Sequence, residues 1–140
     1  MRILDKISEL ENYLSELGEI MPASFEEYAD LKTKAACERY FEKIMEAVVD
    51  LVFLVIKEKG FSVPEEDKEA FDILSKEGII SAELSERLKD AKGMRNIIAH
   101  VYGEVDDEVV FHSITEELER DVKELLAGIK NVYGKNRGSR

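Results

Sequence analysis

Four side chains able to do phosphate and proton chemistry fall in the stretch Lys92–Tyr102, K-G-M-R-N-I-I-A-H-V-Y: Arg95, Asn96, His100 and Tyr102. Arg95 offers a planar fork of donors matched to phosphate oxygens and keeps its charge at any physiological pH. His100 has an imidazole whose ordinary pKa of about 6.5 suits it to act as acid or base near neutrality. Asn96 lies about one helical turn before His100, the spacing at which side chains on a helix meet. It can orient the imidazole or a substrate, and Tyr102 adds a phenol.

Helical geometry sorts these residues. With Arg95 at zero, Tyr102 falls at about −20°, Asn96 at about 100° and His100 at about 140°. Met94, Ile97, Ile98 and Val101 fill the arc from about 200° to 300°, so one side is core and the other carries every reactive group. At about 140° apart, Arg95 and His100 flank a cleft and do not touch. One copy makes half a site. Two copies across a two-fold axis would bring each arginine near the other chain's histidine, which predicts a homodimer.

Other titratable candidates are weaker. Glu46 and Asp50 form an i, i+4 pair in an apolar stretch, with Arg39 and Lys43 on the same stripe. Carboxylates buried there require partners. Arg95 is a candidate partner, which makes Glu46 and Asp50 possible supports of the site. The second histidine, His112, reads as an ordinary residue of the last helix. Cys37 has no internal disulfide partner and reads as an inert helix residue, and no Cys/His spacing suggests a metal.

Five helices must position this stretch. Ile3, Ile7, Leu10, Leu14 and Leu17 form the stripe of a first helix that Gly18 ends before Pro22. Ser24 with Glu27 has the form of a capping box, opening one long helix through Lys59 that stops at Gly60. Its second half, Ala47–Ile56, is apolar nearly all round, as befits a central helix or a dimer contact. Pro64 and Glu65-Glu-Asp67 open a helix reaching Ser75, and Gly78 breaks it. Ser81 caps the helix that carries the motif. Gly103 and Val105-Asp-Asp107 then lead into a last helix through Val132. The reading is all-α: an up-and-down bundle of four to five helices over residues 1–133, with a basic tail, 134–140, expected to be disordered.

Composition narrows the function. No apolar run approaches the roughly 20 residues of a membrane span and no leader pattern is present, which points to a cytoplasmic protein. A net charge of −11 argues against a general nucleic-acid coat protein. The charge is uneven, however: residues 1–90 hold 12 basic against 22 acidic side chains, and residues 91–140 hold 8 against 9. A site for a polyanion belongs in the second part, around Arg95, Lys92 and the tail.

Arg95-Asn-Ile-Ile-Ala-His100-Val-Tyr102 resembles the R-x4-H-x-Y signature of HepT-like toxins of the HEPN superfamily. The resemblance extends to the Gly-Glu-Val-Asp-Asp lead into the last helix and to Glu46-Ala-Val-Val-Asp-Leu51 in the long helix. It implies a dimeric all-α bundle whose two motifs line a shared cleft. It implies a metal-independent endoribonuclease with no cofactor, the toxin of a prokaryotic type VII toxin–antitoxin pair. Arg95 and His100 would be catalytic and Asn96 supporting. Tyr102 would receive AMP from a partner nucleotidyltransferase antitoxin of the MntA type. Two other classes compete. One is a non-catalytic dimeric module that binds nucleotide or a nucleotidyltransferase. The other is a phosphotransfer bundle using an exposed histidine.

Overall fold

The apolar stripe of the first segment folds as helix α1, Arg2–Ile20, and buries Ile3, Ile7, Leu10, Leu14 and Leu17. These coordinates are a computed structural model that describes residues 2–100 and 106–138, leaving aside the side chains of His100 and of residues 135–138. Gly18 lies inside α1 and does not end it. The helix stops two residues before Pro22, whose ring disfavours helical geometry in the residue preceding it.

The capping box forms: Ser24 Oγ accepts from the Glu27 N–H at 3.2 Å, and Glu27 Oε2 accepts from the Ala23 N–H at 2.8 Å. The helix it opens is only α2, Phe25–Tyr28. Asp30 caps a new one, α3, Leu31–Lys59, by accepting from the Thr33 N–H at 3.2 Å. Two helices therefore stand where the periodicity predicts one. A short carboxylate that can serve the backbone locally starts a helix more readily than it continues one. Gly60 ends α3 at φ 74°, and its N–H turns back to the Ile56 and Lys57 carbonyls.

Helix α3 is the central element. It packs against α1 on one side and against α4, Asp67–Lys76, and α5, Ala82–His100, on another. From Ala47 to Ile56 every residue is buried except Asp50, Phe53 and Leu54. The chain closes with α6, Asp107–His112, a π-helical turn at Ser113–Glu117, and α7, Leu118–Gly138. The sequence predicts one uninterrupted helix there, and the π turn is not legible in its spacing. Helix α7 also runs on to Gly138, into the basic stretch for which the sequence predicts disorder. Among the described residues there is no strand, and no helix is long and apolar enough to cross a membrane.

Two features of the packing carry predictions. Gly128 on α7 lies so close to the turn after Gly78 that a Cβ there would sit 2.4 Å from the Ile79 carbonyl oxygen. That neighbour is backbone and cannot rotate away. Gly128→Ala is expected to destabilise the fold by about 1–3 kcal/mol, as overpacking does, measured by chemical denaturation. Glu38 has its pKa raised first by burial, then by the carboxylates of Asp107 and Glu42, against the lowering effect of Lys34. An acid with a raised folded pKa contributes stability below its unfolded pKa and loses it as pH rises through the folded value. Glu38→Gln is therefore expected to raise the melting temperature at pH 7, and the gain should vanish when the scan is repeated below the ordinary carboxylate range. Beside it, Cys37 is buried, and burial pushes its thiol up, which suits an inert residue.

Candidate active site

Helix α5 is tethered at both flanks before it reaches the motif. Ser81 caps it, with Oγ accepting from the Leu84 N–H at 3.0 Å, and Leu84 and Leu88 are buried. Arg87 Nε donates to Asp121 Oδ1 on α7 at 2.9 Å, and Asp121, itself buried, is also held by Arg120 at 3.0 Å. Beyond Leu88 the helix rides at the surface of the core. Ala91, Met94 and Ile98 pack against it half-buried.

Ile97 departs from the expected arc. The wheel assigns it to the core, but it is 45% exposed. At about 200° it sits on the margin of the arc, where a small rotation of the helix turns a side chain outward.

Arg95 and Asn96 are half-buried and belong to one polar chain across three helices. Arg95 Nη2 donates to Glu46 Oε1 on α3 at 2.5 Å, and Nη1 donates to Asn96 Oδ1 at 3.4 Å. The same Asn96 oxygen accepts from Lys92 Nζ at 3.0 Å, and Lys92 pairs with Asp67 Oδ2 at the start of α4, 3.2 Å away. Two cations thus hold the Asn96 carbonyl, which fixes which way round its amide stands. That leaves the NH2 of Asn96 as the group available for outside contacts. The sequence reading places Lys92 near the site only as a positive charge; its hydrogen bond to Asn96 and its pairing with Asp67 go beyond that reading. Lys92 to Asn96 is an i, i+4 step that the wheel displays, whereas nothing local announces Asp67.

Of the two acidic candidates, the structure brings one to the motif. Glu46 pairs with Arg95, while Asp50 turns to Lys6 of α1 at 3.7 Å. Both carboxylates are exposed, not buried in the apolar run as expected. They mark the strip of α3 that faces solvent between α1 and α5. Arg39 and Lys43, on the same stripe, have other partners. Arg39 reaches Glu42 at 3.7 Å, and Lys43 lies over the rings of Tyr13 and Tyr40.

The described part of α5 reaches His100, whose backbone continues the helix one turn beyond Asn96. Its side chain, and Tyr102 altogether, lie outside the described residues. His112 is exposed and its imidazole contacts Glu116 one turn on, as suits an ordinary helix residue. The expected positive patch is compensated within one chain. Arg95 faces Glu46 and Lys92 faces Asp67, one carboxylate for each cation.

Residues 6–129 match the family described as Ribonuclease HepT-like. Over 128 residues the chain is 23% identical to the mRNA nuclease HepT of Shewanella oneidensis, covering 91% of this chain and 96% of that one. It is 30% identical over 128 residues to a provisionally named RNase of Archaeoglobus fulgidus, covering 89% and 96%. In structure it superposes at TM-score 0.85 on the tri-AMPylated Shewanella oneidensis HEPN toxin in its complex with the MNT antitoxin. That comparison covers 92% of this chain and 96% of the other at 22% identity, a likeness of fold.

Proposed function

The chain belongs to the ribonuclease HepT-like family, and from that premise we propose that it is an endoribonuclease that needs no metal. In this reading it acts in the cytoplasm as a homodimer. It is the toxin of a type VII pair, and an MntA-type nucleotidyltransferase silences it by adding AMP to Tyr102. The observation that carries the reading is the half-buried Arg95 beside an orientation-fixed Asn96, one turn before His100. The names of the relatives supply the substrate class: nucleases acting on mRNA and on tRNA.

The chemistry follows from the residues. RNA carries its own nucleophile, the 2′-OH, so cleavage requires proton transfer and charge stabilisation. His100 takes the 2′-OH proton as the 2′-oxygen attacks phosphorus. The bond to the 5′-oxygen then breaks, and that oxygen takes up the proton that the His100 imidazolium gives back. Arg95 neutralises the charge that develops on the phosphorane between these events. In this reading the Asn96 NH2 donates to the substrate.

Purified protein incubated with RNA and excess EDTA is expected to cut it and to leave 2′,3′-cyclic phosphate ends. Cleavage that stops with EDTA and returns with a divalent ion would refute the metal-free mechanism. An inactive but AMP-accepting protein would favour the binding module.

A further inference from the structure

The contact that dominates Arg95 is with Glu46, at the nitrogen that matters most for phosphate. A guanidinium has two edges that present paired donors, Nε with Nη2 and Nη1 with Nη2, and bidentate phosphate binding uses one of them. Nη2 belongs to both, and it is the nitrogen that Glu46 occupies at 2.5 Å. Nε is buried and Nη1 is held by Asn96, so an incoming phosphate reaches the guanidinium at Nη2, where the exposed Glu46 carboxylate sits. The Glu46 side chain is 49% exposed and the Arg95 side chain 18%. Glu46 can therefore swing into water without burying its charge, while the arginine stays in place.

We propose that Glu46 is a specificity-determining competitor for Arg95, holding off the singly charged phosphodiester of bound RNA and yielding the guanidinium to the doubly charged phosphorane. This rests on the reading that Arg95 acts on RNA. A carboxylate and a phosphodiester each carry one negative charge, so exchanging one for the other on Arg95 is nearly even. The phosphorane formed by 2′-oxyanion attack carries two, and the exchange then favours the reacting group. An interaction withheld from the ground state and granted to the transition state raises kcat, whereas one granted to both only lowers KM. Without Glu46, Arg95 would grip substrate and transition state alike.

Glu46→Gln keeps the shape and removes the charge. Asp50→Asn, one turn further along the same exposed strip, makes the same change in net charge without touching Arg95. A mixed-sequence 2′-O-methyl RNA oligonucleotide, which cannot be cleaved through its 2′ position, serves as the binding probe at fixed salt. Glu46→Gln is expected to tighten its binding about fivefold, the scale of a partly exposed ion pair, beyond any change in Asp50→Asn. On cleavable RNA, KM should fall by a similar factor while kcat stays level or drops. Glu46→Asp, which keeps the charge but is one methylene short of Nη2, should fall between Glu46→Gln and the parent.

Binding by Glu46→Gln that is weaker than the parent, or that only matches Asp50→Asn, overturns the proposal and makes Glu46 a support for Arg95. So does a rise in kcat. Arg95→Ala separates the two readings. If it binds and cuts RNA like the parent, the ribonuclease role of Arg95 fails first. If it is inactive while Glu46→Gln behaves as Asp50→Asn, only the competition fails.

Discussion

Arg95→Ala and His100→Ala are each expected to lower RNA cleavage by about 10²–10⁴-fold with little change in stability. Removing one preorganised donor to transition-state charge, or one general acid–base, has effects on this scale. The stability expectation comes from the surroundings. Losing the Arg95 guanidinium leaves Glu46, which is exposed and can be hydrated, and leaves Asn96 Oδ1 with the Lys92 ammonium still in place. No buried charge is orphaned. The backbone at His100 is helical, where alanine is the most favourable residue. The measurement is kcat/KM on a defined RNA in EDTA, with thermal melting of each variant beside the parent. Arg95→Lys should recover only a minor part of the activity, because an ammonium keeps the charge but not the fork. If either alanine variant cut RNA within twofold of the parent, the reaction would belong to other residues.

The dimer enters the same experiment. Because Arg95 and His100 stand about 140° apart on their helix, the missing partner of each is expected to come from the second chain. Mixing Arg95→Ala with His100→Ala subunits is expected to restore part of the activity that neither has alone.

The bundle was legible because its cause is local. Stripes such as Ile3–Ile7–Leu10–Leu14–Leu17 repeat at the helical period and are buried as that period dictates. Gly60 and Gly78 stand at φ 74° and 78°, the left-handed turns that glycine serves most readily. What escaped depends on competition between neighbours. The break at Asp30 is a contest between continuing a helix and capping a new one, decided by a side chain only one methylene shorter than glutamate. The π turn at Ser113–Glu117 leaves the apolar spacing around Val110, Ile114 and Leu118 intact, so periodicity cannot reveal it.

For the site, the types and spacing of Arg95, Asn96 and His100 pointed at phosphate chemistry, and the link from Glu46 to Arg95 was among the options. Which of Glu46 and Asp50 would make it was not readable. They share a face one turn apart, and the choice falls to where α1 and α5 lie across α3. That is tertiary geometry, like the reach of Asp67 to Lys92.

Tyr102 carries the prediction with the largest regulatory effect. Incubation with the cognate nucleotidyltransferase and ATP is expected to add AMP to the parent chain, to leave Tyr102→Phe unmodified, and to suppress cleavage only in the parent. Mass spectrometry reports the modification, and cleavage before and after reports the loss. The expected size follows from tethering. The seven-residue spacing from Arg95 to Tyr102 in the sequence is close to two helical turns, so an AMP on the Tyr102 phenol is expected to bring a phosphodiester to the arginine's side. A short tether gives such an anion an effective concentration on the order of millimolar, and RNA at micromolar concentration competes at a disadvantage of roughly a thousandfold. That anion meets the same Glu46 carboxylate as RNA does, so the even exchange at Arg95 is biased by concentration alone. Tyr102→Phe should therefore cut RNA like the parent and continue to do so with the nucleotidyltransferase and ATP present. Suppression of Tyr102→Phe to the same degree would mean that the partner silences the enzyme by covering it, and AMP would lose its place in the control.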